Sequence, residues 1–289
     1  MHNINRLRIM TFNIRGGNNF EDGINTWSYR AALNVKIILR TATDIIGFQE
    51  CQAENLEFYR SSLIDYSFYL GHIIDRCNYN PIFWKTSHFD FVDGGQFWLS
   101  PVPGAVTPSI AWNSSSPRST TWVRLRTKNQ KLTLLFVNTH WDHISEEARW
   151  ESACLISKKV FELTQDGQLL AVVVGDFNCS RWRPQNDLGS KEQSTNEPYC
   201  YLIKQGFIDC FLAAGNIDSL SSNTFHGFMG EDYMPWRHHM LWRADWILLQ
   251  PSHEPVRVQS CSIVRDGEPP LYPSDHYPVV ADLVLSTYS

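Results

Sequence analysis

Apolar positions along the chain follow two alternating rhythms. "RLRIMTFNI" predicts a strand over residues 7–14 that ends in polar Asn13. "YRAALNVKIILRT" (29–41) switches to helical spacing, and "DIIGFQE" (44–50) returns to a strand ending at Glu50. "AENLEFYRSSL" (53–63) predicts a second helix. The same plan recurs later. "KLTLLFVNTH" (131–140) predicts a strand ending in Asn138 and His140. "SEEARWESACLISKKVFELTQ" (145–165) predicts the longest helix, with acidic residues in its first turn where the helix dipole favours them. "QLLAVVVGDFN" (168–178) then reads as a buried strand that breaks into Asp176 and Asn178. Each strand–helix–strand unit thus delivers polar groups to the carboxyl ends of apolar strands.

Residues 66 to 126 are rich in strands and loops, and a hairpin is expected to turn at Lys128–Gln130. From 181 to 243 the chain is rich in Trp, Asn, Ser, Pro and His, which predicts long loops with one helical segment near 199–205. Three further strands are expected, at 244–250, 256–264 and 276–285. No linker-like shift in composition interrupts the pattern, so one domain over residues 1–289 is the expectation, of the α/β class.

In open α/β sheets the ligand crevice lies beyond the carboxyl ends of strands. The polar residues placed there are Asn13, Glu50, Asn138, His140, Asp142, Asp176, Asn178, Asp245, Asp275 and His276. Converging carboxylates and amides make an oxygen-rich site for a hard cation such as Mg2+. No cysteine stands among them, which disfavours structural zinc. Two histidines beside carboxylates add groups for proton transfer or anion stabilisation. Metal-assisted attack of water on a phosphate ester needs this mixture. Taken singly, Asp176 also reads as ordinary turn chemistry after a glycine, and Glu50 as a helix cap.

Charge and cysteine content narrow the picture. The net charge of −5 argues against gripping nucleic acid by electrostatics alone. Seven cysteines without metal spacing read as free thiols in a reducing compartment. The start of the chain shows no secretory signal, and no apolar run is long enough for a transmembrane anchor, so a cytoplasmic location is expected.

Six short motifs then stand in order: "TFNIR" (11–15), "IIGFQE" (45–50), "NTHWDH" (138–143), "GDFN" (175–178), "ADWILL" (244–249) and "SDHYPV" (274–279). Together they resemble the endonuclease/exonuclease/phosphatase superfamily, from about residue 7 to the end. That superfamily includes pancreatic deoxyribonuclease, abasic-site endonucleases, neutral sphingomyelinases, inositol polyphosphate 5-phosphatases and deadenylases. The resemblance implies a four-layer α/β sandwich, DNase-like, with two mixed β-sheets packed face to face and helices outside. It implies that Asn13 and Glu50 hold Mg2+, with Mn2+ as an accepted substitute, and that Asp275 joins them. It implies that His140 contacts the scissile phosphate or protonates the leaving group, that Asp176 orients the attacking water and that Asn178 stabilises the transition state. Asp245 would fix the ring of His276, and His276 would touch the phosphate. "GGQFWLSPVPG" (94–104), "PRSTTW" (117–122) and "NTHWDH" look like a bacterial subgroup described only as family hydrolases. The "FWLS" segment departs from the DNA-cleaving members.

The eleven tryptophans divide. Trp27, Trp84 and Trp246 are expected in the core. Trp98, Trp141, Trp182 and Trp236 are candidate platforms for stacking a base or sugar ring. Arg118 is a candidate phosphate ligand, because a guanidinium pairs well with phosphate oxygens. The expected activity is a Mg2+-dependent phosphoesterase acting on a phosphorylated small molecule or nucleic acid, with a small or single-stranded substrate favoured. The alternatives are a DNase-like endonuclease or exonuclease and a non-catalytic binding module.

Overall fold

The structure is a computed structural model that describes residues 6–17, 20–71, 79–129, 132–164, 169–181, 197–219, 221–234, 243–251 and 256–285. The first unit is β1 (Arg6–Asn13), α1 (Trp27–Thr41) and β2 (Ile45–Gln49), followed by α2 (Ala53–Ser62). Next come β3 (Tyr66–Tyr69), β4 (Ile82–Lys85), β5 (Phe89–Trp98) and β6 (Ser119–Thr127). The second unit is β7 (Thr133–His140), α3 (Glu146–Leu163) and β8 (Leu170–Asp176). The chain continues through α4 (Glu197–Lys204), β9 (Ile208–Asp209), α5 (Cys210–Ala213), β10 (Asp245–Gln250), β11 (Val256–Ile263) and β12 (Val279–Leu285).

Two six-stranded sheets result, ordered β11-β12-β1-β2-β4-β3 and β5-β6-β7-β8-β10-β9. The only parallel pairs among the described strands are β1/β2 and β7/β8, each bridged by its crossover helix, so both sheets are mixed.

Strand alternation builds the layers. Leu7 and Ile9 of β1 meet Leu134, Phe136, Val172 and Val174 between the sheets. Met10 and Phe12 point the other way, under Ala31, Val35 and Ile38 of α1. Leu135, Val137, Ala171 and Val173 likewise lie under Ala153, Ile156 and Val160 of α3. Each such side chain taken fully out of water contributes about 1.5–3 kcal/mol. Ser145 starts α3 by accepting the Ala148 amide, and Glu146 and Glu147 sit in its first turn.

A polar tie crosses between the sheets. Gln49 Nε2 donates to Asn138 Oδ1 at 2.7 Å, and Asn138 Nδ2 donates to the carbonyls of Phe48 at 2.7 Å and Pro81 at 3.0 Å. Gly47 permits this approach, because a Cβ there would lie 2.9 Å from the Asn138 amide and 2.5 Å from Val174. Asn138 is therefore fully buried and structural in its setting, although it was grouped with the strand-end residues.

The last strand begins later than expected. Residues before Val279 leave the ladder; the Phe225–His276 bridge and the bond from Ser274 to the Asn13 carbonyl are among the contacts that hold them. The region after 181 contributes α4 as expected, together with β9 and α5, which the sequence pattern did not suggest. Residues 182–196 and 235–242 lie outside the described segments. Among the described residues no helix is long and apolar enough to cross a membrane. The described cysteines are all free, four of them buried, and Cys77 lies outside the described residues.

Candidate active site

Strand register brings the catalytic candidates into one row. His140 pairs with Asp176 between β7 and β8, and Asp176 pairs with Asp245 between β8 and β10. On the other sheet Asn13 pairs with Gln49, one residue before Glu50. Face-to-face packing of the sheets brings these ends together. Asn13 Nδ2 donates to Glu50 Oε1 and to Asp176 Oδ2, both at 3.0 Å. One buried amide thus spans the two sheets and links a candidate metal ligand to the candidate water-orienting carboxylate.

The turns after these strands are unusual. Glu50 and Asn178 have φ of 59° and 47°, in the left-handed region. An asparagine tolerates it, whereas a glutamate held there costs about 1 kcal/mol or more. The twist lets Asn178 N donate to Asp176 Oδ1 at 2.9 Å. It also lets Asn178 Nδ2 reach the Trp141 carbonyl at 3.0 Å and His140 Nε2 at 3.1 Å.

His276 is oriented by Asp245, with Nδ1 2.9 Å from Asp245 Oδ2. Its Nε2 faces Asp176 Oδ2 at 3.8 Å, and His140 Nε2 faces the same oxygen at 3.5 Å. Asp245 is itself held because Thr224 Oγ1 accepts the amides of Ala244 and Asp245. Ser274 Oγ donates to the Asn13 carbonyl at 2.7 Å, which pins Asp275 and His276 to the end of β1.

The charges follow from this packing. Burial opposes an imidazolium at His276, but Asp245 and Asp176 outweigh it and raise the pKa to about 10. Burial and the charge of Asp245 push Asp176 up to about 7, against the pull of His276. Burial also raises Asp275, with Glu50 adding to the shift and His276 and Arg15 opposing it. Burial lowers His140 well below the ordinary range, helped by Arg118 and His276. His276 is therefore the charged ring and His140 the neutral one, with Nε2 accepting from the Asn178 amide.

Carboxylates outnumber cations here. Glu50, Asp176, Asp245 and Asp275 face His276 and Arg15, and Asp245 Oδ1 is buried with no hydrogen-bond partner. An oxygen-rich donor set with surplus negative charge suits a hard divalent cation. Ligand atoms of Asp176, Asp245 and His276 also lie within 4.8 Å of one another. A metal taking His276 Nδ1 would have to break its bond to Asp245. The half-open Glu50, with Asn13 and Asp275, offers oxygens without that loss.

Two of the aromatic candidates are corrected by burial. Trp141 is completely buried, packed on Phe177 at 4.8 Å and Trp246 at 6.5 Å, and offers no face for stacking. Trp98 is 5% exposed and donates its ring N–H to the Ala105 carbonyl. Both are core, as are Trp27, Trp84 and Trp246. Trp182 and Trp236 lie outside the described residues.

Arg118 stands two residues before Thr120, which pairs with Thr139 next to His140. Its Nε lies 3.4 Å from Asp142 and its Nη2 3.0 Å from His143 Nδ1. Burial raises the Asp142 pKa, but Asp142 accepts the Ser115 hydroxyl and the amides of Ser145, Ser115 and Ile144, which together hold it down at about 2. Sequence reasoning missed Gln49, Arg15, Arg30 and Thr224. Arg15, Gln49 and Ser274 lay inside quoted motifs, but nothing in their type marked them as braces.

Comparisons with known proteins bear on the family and the fold. The model of the endonuclease/exonuclease/phosphatase family matches residues 10–276. A family protein from Bacteroides vulgatus is 30% identical, with a TM-score of 0.81, over 97% of this chain and 99% of its own. One from Bacteroides thetaiotaomicron is 28% identical, with a TM-score of 0.81, over 98% of both chains. A mannosyl-6-phosphatase of Bacteroides thetaiotaomicron is 28% identical, with a TM-score of 0.81, over 96% of this chain and 99% of its own. A search of curated proteins gave no match. The paired mixed sheets are the DNase-like α/β sandwich of these neighbours. With the family's model matched across nearly all of its length, this chain belongs to the endonuclease/exonuclease/phosphatase family.

Proposed function

We propose that the protein is a Mg2+-dependent phosphoesterase that hydrolyses the ester of a small phosphorylated molecule by in-line attack of water. One observation carries the reading. Asp176, Asn178, His140 and the His276–Asp245 pair converge on a single point beside the Glu50–Asn13 contact.

Each group has a distinct task there. A carboxylate poised near neutrality suits Asp176 to orient the attacking water and take its proton. The His276 imidazolium, kept charged by Asp245, donates from Nε2 to a phosphoryl oxygen. The Asn178 amide, fixed by the Trp141 carbonyl, turns its second N–H from His140 Nε2 to the same group as charge builds. Neutral His140 lies against Asn178, where the charge of an arriving phosphate would favour its protonation. Glu50, with Asn13 and Asp275, would hold Mg2+, which supplies positive charge to offset that on the phosphoryl oxygens. Arg118 stands beside His140 as a contact for the anion.

The likeness to a mannosyl-6-phosphatase supports a phosphosugar as the first compound to try. The test is a panel of phosphosugars, nucleotides, oligonucleotides and phospholipids, assayed with Mg2+, with Mn2+ and with EDTA. Turnover of a small phosphate ester that EDTA abolishes is the expected result. Preferential cleavage of DNA, or activity untouched by EDTA, would overturn the proposal.

A further inference from the structure

Arg30 sits on α1, on the side away from solvent, and is completely buried. All five of its side-chain hydrogen bonds go to main-chain carbonyls. Nε donates to Asn25 at 2.7 Å. Nη1 donates to Ile14 at 2.6 Å and Pro273 at 3.1 Å. Nη2 donates to Arg15 and Gly16, both at 3.0 Å. No carboxylate is hydrogen-bonded to it among the described residues, so its donors serve backbone alone.

The carbonyls it gathers belong to two loops. One follows β1, directly after Asn13. The other precedes β12 and continues into Ser274, Asp275 and His276. Arg15 and Gly16 both have positive φ, 58° and 49°, so their carbonyls leave the strand ladder and need other donors. Asn55 Nδ2 supplies a second donor to Gly16, and Asn34 Nδ2 a second donor to Pro273. Tyr59 holds Asn34 in turn, and the Trp27 ring lies 5.1 Å from the Arg30 guanidinium carbon.

We infer that Arg30 is a positioning residue, which fixes the loop after Asn13 against the loop carrying Asp275 and His276 and so sets the spacing between Asn13 on one side of the site and Asp275 and His276 on the other. A planar fork with five rigidly directed N–H groups can hold both loops at once, and a lysine ammonium with three donors cannot. Burying a guanidinium is costly, and hydrogen bonds to carbonyls recover part of that cost. The inference rests on the proposed phosphoesterase reading for its catalytic consequence, but its structural claim stands on the two loops alone.

The experiment compares Arg30→Lys with Ile38→Ala, a core change on the same helix. Hydrogen exchange of the metal-free proteins is followed at 13–17 and 274–276. Mg2+ affinity is measured by calorimetry, and kcat and KM at saturating Mg2+. Arg30→Lys should speed exchange in both loops and weaken Mg2+ binding. It should lower kcat roughly 10- to 100-fold with KM changed less than about threefold, as small misplacements of reacting groups do. Ile38→Ala should lower the melting temperature and leave kcat near wild type. Unchanged exchange in either loop, or a kcat loss matched by Ile38→Ala, would overturn the inference. If Arg30→Lys does not fold, Arg30→Gln, which keeps an amide donor, takes its place with the same readouts, and unchanged exchange in either loop overturns the inference. A wild-type protein inactive on every phosphate ester would sink the proposed function, while the exchange measurements would still decide the role of Arg30.

Discussion

Changing Asp176 to Asn should make the metal-free protein more stable above neutral pH while nearly abolishing its activity. Asp176 is 1% exposed, and its pKa is pushed up to about 7 from 3.8. The difference of 3.2 units corresponds to about 4 kcal/mol at about 1.36 kcal/mol per unit. The sign follows from linkage. A carboxyl whose folded pKa is raised favours the protonated folded state, so its contribution is fully present below the unfolded value and is lost as pH rises through about 7. Wild type without metal therefore carries this penalty at pH 8, and the neutral amide does not. The amide has one acceptor where the carboxylate had two, serving Asn178 N and Asn13 Nδ2. Leaving one of those donors unpaired costs about 1–3 kcal/mol. The net gain is about 1–3 kcal/mol, or about 2–5 °C in a chain of this size. It should shrink to nothing near pH 4 and reverse when Mg2+ is added, since the cation offsets the carboxylates. Loss of the water-orienting charge should cut kcat by about 10²–10⁴-fold. Melting curves in EDTA from pH 4 to 9, with turnover at saturating Mg2+, check both halves. An Asn variant that melts below wild type at pH 8 without metal would refute the electrostatic argument, and one with near wild-type turnover would refute the catalytic one.

Asp245→Asn should lower the His276 pKa from about 10 toward the ordinary range, read from its ring signals by NMR in the metal-free protein. A raised imidazole pKa adds stability that is complete below the unfolded value and lost as pH rises through about 10, so the variant should show a flatter stability profile between pH 7 and 10. Glu50→Gln should weaken Mg2+ binding in calorimetry, with part of the rate restored by excess metal; unaltered affinity would remove Glu50 from the ligand set. Arg118→Ala should raise KM about tenfold or more and leave Mg2+ affinity alone. Arg243→Met should cost about 3–5 kcal/mol in urea unfolding, because it leaves buried Asp209 without its cation and Asp218 with Arg181, the two carboxylates lying 2.6 and 2.7 Å from the buried Arg243 guanidinium.

The parts of this molecule with a period or a sustained apolar run were legible. α1 and α3 repeat apolar positions at helical spacing and β1 opens in alternation, while β2, β7 and β8 are short apolar runs, all but fully buried, that break at polar residues. Their polar ends then marked Asn13, Glu50, Asp176 and Asn178. β9 and α5 were not legible, because two and four residues are too few to show a rhythm. Tryptophan misled for a physical reason. Trp98 and Trp141 flank strand ends in sequence, but an indole is large enough to fold back under the loop that carries it. Arg30 carried no signal, since one cation on an apolar helix reads as a solvated position until its carbonyl partners are known. The left-handed turns at Glu50 and Asn178 were equally silent, because neither residue is glycine.

β1 has its two neighbours at opposite ends of the chain, β2 in parallel and β12 in antiparallel register, with Arg6 across from Val284. During synthesis the first strand must therefore wait, with one edge open, until the last has been made. Asp275 and His276 arrive just ahead of β12, so the strand-end cluster stays incomplete until that segment has left the ribosome. A chain cut short before β12 would display an unpaired, apolar edge of β1 and lack both residues, and cellular quality control would meet it as a sticky fragment.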